Sequence, residues 1–286
     1  MTGLTSHALL FARSFLFVPA NRPERFAKAL TAGADVVIID FEDAVAPADK
    51  SAARQMLKAS WHDFSAAERA RIVVRVNAAG TLWHEDDLLF LAGLGATGVM
   101  LPKAESASQL AHAAALLGPA CALVPLIESV LGLDAADALA RSPQVSRLAF
   151  GNLDFQADAA MLCSADESEL APVRLALVLA SRRAELAAPI DGVTASFQDG
   201  AQLTQDAARS RRMGFGAKLC IHPSQVAAVN TALGVTAAEL DWAERVMAAF
   251  EAAGGGVASL DGRMVDAPLM HRARRQLILH AQTSNK

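Results

Sequence analysis

The chain has 286 residues, 53% of them hydrophobic, with 26 basic and 30 acidic side chains, a net charge of −4 and a pI near 6.0. That length can bury a large core in one domain, and the mildly acidic balance leaves no electrostatic footprint for nucleic acid. Cys121, Cys163 and Cys220 are odd in number and lack C-x-x-C spacing, and two of them lie in apolar strand-like runs, which fits small core residues in a reducing compartment.

The stretch from Met1 to Ala20 is apolar and ends Val-Pro-Ala, but no basic residue stands near Met1 and Arg13 interrupts the run. It reads as a loose start followed by a strand rather than a secretory leader. No uncharged apolar run reaches the ~18 residues of a membrane span. A soluble cytoplasmic protein with neither nucleic-acid nor membrane partners is expected.

In chain order, Ser14–Pro19 reads as a strand, Pro23–Ala32 as a helix closed by Gly33, and Val36–Phe41 as a strand. Lys50–Ser60 reads as a helix, Arg71–Val76 as a strand and Glu85–Leu94 as a helix stopped by Gly95. Then come the strand Gly98–Leu101, the helix Ser106–Leu117, the strand Ala122–Ile127, a helix near Leu133–Ala140 and the strand Arg147–Phe150. A long helix at Pro172–Ala187, a weak strand at Pro189–Ala195, the helix Thr204–Met213 and the strand Ala217–Ile221 complete the series. Strands alternating with helices imply parallel pairing by right-handed crossovers, and eight such units close an α/β TIM (β/α)8 barrel. The catalytic domain is placed at 1–224. Residues 225–286 form a C-terminal helical extension, with helices at Ala237–Ala252 and Leu269–Ala281 and a flexible glycine loop at Gly254-Gly-Gly256.

Two carboxylates stand out. Glu128 ends the run Cys121–Ile127, and Asp154 follows the run Arg147–Phe150. In a parallel barrel the C-terminal ends of the strands carry the chemistry, and a carboxylate pair there suits Mg²⁺. The alternative for each is plainer: a helix N-cap for Asp154, a solvated loop acid for Glu128. Asp40, Glu42 and Asp43 end the second strand, and Arg75 ends the third. Arg75 suits a substrate carboxylate or a developing enolate, or a buried ion pair with Glu42 or Asp40, and the two roles are compatible. Arg22, Arg25 and Lys28 recur at a spacing of three, as a phosphate-binding edge or as a solvated helix face. Lys103 and Lys218 raise a Schiff-base aldolase, without a local sign of a depressed pKa; His222, before Pro223, reads as structural.

These motifs, in this order, resemble the citrate lyase β-subunit-like family of the HpcH/HpaI aldolase superfamily, which includes malyl-CoA and citramalyl-CoA lyases. The matching stretches are Arg13–Arg25, Ala34–Val45, Val74–Asn77, Leu101–Lys103, Pro125–Glu128, Phe150–Asp154, Gly216–Pro223 and Asp261–Asp266, nearly the whole chain. Phe41 stands where the family usually has Leu, and Ser129 where Thr is common.

The resemblance implies Mg²⁺ held by Glu128 and Asp154, and Arg75 on the oxo-acid part of the substrate. It implies Asp266 as the catalytic acid/base, delivered into a neighbouring protomer's site in a trimer or hexamer, with Arg22, Arg25 and Lys28 near the CoA entrance. The reaction expected is reversible cleavage of a β-hydroxyacyl-CoA into an acyl-CoA and an α-keto acid, with Arg75 and backbone N–H groups around Gly151, Asn152 and Leu153 steadying the negative oxygen. The glycine loop would let the Asp266 segment close. Alternatives are the β subunit of a citrate lyase acting on an acyl-carrier-protein thioester, a malyl-CoA thioesterase, a CoA-independent pyruvate-type aldolase and a non-catalytic binding subunit.

Overall fold

The computed structural model describes residues 4–254 and 257–284. Eight strands, β1 (Ser14–Pro19), β2 (Val36–Asp40), β3 (Ile72–Arg75), β4 (Gly98–Leu101), β5 (Ala122–Ile127), β6 (Ala149–Phe150), β7 (Ile190–Asp191) and β8 (Ala217–Cys220), pair in sequence order, and β1 closes on β8. Every barrel pairing is parallel. The fold is the expected TIM barrel. Val36–Asp40 is buried at every position, as strands covered on both faces must be.

The side-chain period of two decides what reaches the open end of the barrel. Val36 and Ile38 on β2, Val73 on β3 and Ala122, Val124 and Leu126 on β5 belong to one interior cluster. The next positions of the same parity are Asp40, Arg75 and Glu128. The rows of apolar side chains that fill the barrel thus end in the charged groups at its C-terminal rim.

β6 and β7 are shorter than expected, and side chains capture backbone groups around both. Arg147 gives its Nη1 to the carbonyls of Leu9 and Ala12 and its Nε to Ala188, and the Val193 N–H goes to the Asn152 side chain. The expected loose start is in fact a helix, Leu4–Phe11, whose Leu9 joins the interior cluster at the N-terminal end of the barrel. The helix expected near Leu133–Ala140 is two short ones, Val130–Asp134 and Ala136–Ala140. Two further helices, Asn152–Asp158 and Ala66–Arg69, lie where none was expected; the latter starts on a Ser65/Glu68 capping box.

Contacts divide the chain into Met1–Ala232 and Leu233–Lys286, so the helix Val226–Leu233 belongs almost wholly to the barrel unit. The second unit pairs the helices Ala237–Ala252 and Ala267–Ser284 around Ala243, Val246, Val265 and Ala273. Between them Ala258–Leu260 and Arg263–Val265 form an antiparallel hairpin. Its Asp261-Gly262 turn is left-handed at both residues (φ 51° and 74°), the geometry that favours Asp-Gly. Gly255 and Gly256 of the expected glycine loop lie outside the described residues.

Candidate active site

A cavity of about 370 Å³ opens at the C-terminal rim, lined by Asp40, Asp43, Arg75, Glu128, Gly151, Asn152, Leu153 and Asp154 over an apolar floor that includes Phe17, Leu126, Phe150 and Leu219. Asp40 and Arg75 are register partners on β2 and β3. Arg75 donates from Nε and Nη2 to the two Asp40 oxygens, each at 2.7 Å, and from Nη1 to Asp43 at 3.2 Å. Its Cζ lies over the Phe17 ring, 4.9 Å from the centroid. Asp40 also accepts from the backbone N–H groups of Glu42 (2.9 Å) and Ala44 (3.1 Å), so the loop after β2 folds around it. Lys50, buried, fixes the same loop by donating to the carbonyls of Phe41 and Glu42. The expected ion-pair role of Arg75 is therefore present, with Asp40 as its main partner.

Glu42 is buried with Oε2 2.7 Å from Arg75 Nη1, yet this oxygen is off the line of any N–H and makes a charge contact rather than a hydrogen bond. Burial pushes the Glu42 carboxyl up to about 8, against the pull of Arg75. Burial also pulls on the Arg75 guanidinium, but the hydrogen bonds and charge of Asp40 outweigh it and hold Arg75 firmly protonated.

Glu128 follows β5 and is 3% exposed; its Oε1 accepts the Lys103 backbone N–H at 2.8 Å. Burial lifts this carboxyl to about 7; the Lys103 hydrogen bond and charge oppose the lift and Asp154 adds to it. Gly151 lets Glu128 lie where it does: a Cβ at Gly151 would stand 2.5 Å from both Cβ and Oε2 of Glu128. Asp154 is exposed on the first turn of the Asn152–Asp158 helix, whose N-cap is Gly151, so it sits on a helix rather than at a strand end. Two carboxylates, one buried and one at the rim of the same cavity, match the donor set of Mg²⁺, which takes one or two carboxylates and keeps several waters. No cluster of three or more His, Cys, Asp or Glu ligands occurs among the described residues.

The Gly151 N–H donates to the Ile127 carbonyl at 2.9 Å. The N–H groups of Asn152 and Leu153 open a helix, where no intrahelical carbonyl receives them. Arg22, Arg25 and Lys28 are exposed on a 3-10 turn (Pro23–Arg25) and the helix Phe26–Thr31 rather than on one continuous helix. Glu24 lies 3.8 Å from Arg22 and 3.9 Å from Arg25. Asp266 belongs to the second unit, half-buried, and its Oδ1 accepts from Leu269 N–H at 3.3 Å at the start of the last helix.

Neither Lys103 nor Lys218, the candidate Schiff-base formers, lines the cavity. Lys218 is fully buried with Nζ 2.6 Å from the Gly192 carbonyl. Burial pulls Lys103 down, but Glu128 and Glu42 outweigh it and keep its pKa raised, the wrong direction for an amine nucleophile. The apolar floor was not anticipated from the sequence; the period-two parity of β1, β5 and β8, extended to their last residues, would have found Phe17, Leu126 and Leu219.

An eight-stranded parallel barrel with an acid-rich C-terminal rim and one deeply paired arginine defines a (β/α)8 enzyme. Residues 13–223 match the HpcH/HpaI aldolase/citrate lyase family, and the chain belongs to that family. A (3S)-malyl-CoA thioesterase of Cereibacter sphaeroides is 34% identical over 268 residues, 93% of each chain. A citrate lyase subunit beta-like protein of Mycobacterium tuberculosis is 38% identical over 268 residues, 92% of this chain and 93% of its own. The crystal structure of CitE from Mycobacterium tuberculosis in complex with magnesium, acetoacetate and coenzyme A superimposes with a TM-score of 0.81 at 36% identity, over 94% of this chain and 98% of that one. The lyase class expected from the motifs holds.

Proposed function

We propose that this protein is a Mg²⁺-dependent carbon–carbon lyase that cleaves, or forms, a β-hydroxyacyl-CoA such as malyl-CoA or citramalyl-CoA, giving an acyl-CoA and an α-keto acid. One observation carries the reading: the buried Glu128 carboxylate, the rim carboxylate Asp154 and Arg75 face one cavity. Glu128 and Asp154 would hold the metal. When bound, Mg²⁺ supplies a Lewis acid for the hydroxyl oxygen that becomes the keto carbonyl. The support for magnesium, a keto acid and coenzyme A is the ligand set of the related CitE crystal structure together with the donor chemistry above.

The chain's own residues then have separate tasks. Arg75 is held in place by Asp40 and turns its remaining N–H groups and its charge toward the keto-acid carboxylate. Glu42 and Asp43 shape the far end of that guanidinium. The start of the Asn152–Asp158 helix, with the N–H groups of Asn152 and Leu153, adds donors for a developing oxyanion. Asp266 is the proposed acid that protonates the enolate carbon in the cleavage direction, supplied by a neighbouring protomer of a homotrimer or hexamer. Arg22, Arg25 and Lys28 are exposed and suited to the CoA phosphates, and a cytoplasmic location fits a CoA-dependent reaction.

A second reading, thioester hydrolysis, is favoured by the thioesterase relative. A third, a citrate lyase β subunit using a carrier-protein thioester, is favoured by the citrate lyase-like relative. The test is a panel of malyl-, citramalyl- and citryl-CoA, with keto acid and free thiol both quantified. A lyase releases keto acid and leaves the thiol esterified. Hydrolysis releases free thiol with the hydroxy acid intact.

A further inference from the structure

The barrel rim between β6 and β8 contains a network of buried polar side chains to which the proposed reaction gives no task. Asn152, 1% exposed and in the cavity wall, is held on both ends of its carboxamide: Oδ1 accepts from Val193 N–H at 2.9 Å, and Nδ2 donates to Glu167 Oε1 at 2.7 Å and to the Val193 carbonyl at 3.2 Å. Glu167 adopts the left-handed conformation (φ 48°, ψ 37°), which a residue with a Cβ seldom takes up without being held there. What holds it is Arg174, fully buried, which donates from Nη2 to Glu167 Oε2, from Nη1 to the Glu167 carbonyl and from Nε to Asp191 at 2.9 Å. Arg209 adds a second cation 3.2 Å from Oε2, and Gln156 reaches Oε1 at 3.4 Å. The Arg174 guanidinium lies 5.4 Å from the Phe150 ring centroid, and Phe150 is part of the cavity wall. Gly192 makes room for the arrangement, since a Cβ there would fall 2.1 Å from Asn152 Oδ1.

We propose that Glu167 is a positioning residue for the metal site: through Asn152 it locks the first turn of the Asn152–Asp158 helix to the end of β7, and so fixes the direction in which Asp154 points into the cavity. The inference rests on the reading of Asp154 as a metal ligand. Asp154 is exposed and sits on a helix of two turns, too short to be rigid by itself. The buried Asn152 anchor two residues earlier ties the first turn to β7, on the opposite side of Asp154 in the chain from the buried Phe155. Preorganisation of a ligand by hydrogen bonds behind it commonly changes metal affinity by 10–100-fold.

The test is Mg²⁺ titration calorimetry on the full chain, with wild type, Glu167→Gln, Glu167→Asp and Asp154→Asn compared, and thermal melts run without metal. Glu167→Gln places an amide NH₂ against either Asn152 or Arg174, both donors. Glu167→Asp keeps the charge beside Arg174 and Arg209 but is too short to reach Asn152 as well. Both variants should raise the Mg²⁺ Kd at least tenfold, and activity should fall more at limiting than at saturating Mg²⁺. If Glu167→Gln does not fold, Glu167→Asp decides. A lowered Tm with a Kd within twofold of wild type in Glu167→Asp would overturn the inference and leave the network purely structural. Unchanged Mg²⁺ affinity in Asp154→Asn would instead overturn the metal-ligand reading, and the positioning role with it.

Discussion

Asp40 and Arg75 face each other on the last rung shared by β2 and β3, and the guanidinium gives Asp40 both Nε and Nη2 at 2.7 Å. The pair is buried, so it is costly to break from one side and carries little net stability when whole. Its consequence is orientation: a planar fork gripped along one edge by Asp40, with Asp43 and Glu42 against Nη1, is held in one position in the cavity wall.

Arg75→Lys should therefore fold but catalyse poorly. A point charge cannot reproduce the two parallel bonds to Asp40 and still present a donor to substrate. The expected loss in kcat/KM is tenfold or more, equivalent to about 1.4 kcal/mol. Steady-state kinetics with wild-type values would show the arginine to be structural only.

Gly151→Ala should lose metal binding with the barrel intact. The added methyl meets Glu128 Cβ and Oε2 at 2.5 Å, so the carboxylate that accepts the Lys103 N–H through Oε1 must shift. Overpacking of this kind costs about 1–3 kcal/mol. Circular dichroism close to wild type together with a Mg²⁺ Kd raised at least tenfold is the expected pair of results; an unchanged Kd would mean that Glu128 is not held as described.

The raised carboxyls give two pH dependences of opposite sign. Glu42 (about 8) and Glu128 (about 7) keep their protons in the folded, metal-free protein at pH values where the unfolded chain, near 4.5, has lost them. The folded state binds more protons in that window, so stability falls as pH rises from about 5, through Glu128 up to about 7 and through Glu42 up to about 8, by up to about 1.4 kcal/mol per pH unit for each. Glu42→Gln should flatten part of the slope in denaturant melts in EDTA. Metal binding at Glu128 would run the other way, because Mg²⁺ would have to displace the Glu128 proton: its affinity should climb from pH 6 to about 7 and level off above. Mg²⁺ affinity independent of pH over that range would contradict the assignment.

Asp266 and Glu128 belong to different units of the chain, and the proposal that neighbouring protomers share a site is testable by mixing. Asp266→Asn and Glu128→Gln should each be inactive alone. After subunit exchange, mixtures should recover a fraction of wild-type activity, since some sites then hold both intact groups. No recovery after proven exchange would mean that each chain completes its own site.

Much of this was legible in the residues because strands and chemistry share one alternation. Val-Val-Ile-Ile-Asp and Val-Val-Arg announce both a buried strand and the charge at its end. What was not legible depended on side chains capturing backbone. Nothing local to Pro189–Ala195 says that Asn152 takes the Val193 N–H and ends β7 early. The helix carrying Asp154 is two turns long with a glycine N-cap, so it lacks the Ser, Thr or Asp signal that marks longer helices. The hairpin at Asp261-Gly262, by contrast, carries its signal openly in that dipeptide.

We propose that the Glu128 and Asp154 carboxylates hold a magnesium ion for carbon–carbon cleavage. The most direct measurement is release of keto acid from citramalyl-CoA and malyl-CoA by the wild type, by the wild type in EDTA with and without Mg²⁺ added back, and by Glu128→Gln. The expected result is keto acid and acyl-CoA in equal amounts, loss of both in EDTA, recovery with Mg²⁺, and no turnover by a folded Glu128→Gln. Full activity in EDTA, or free thiol without keto acid, would contradict it.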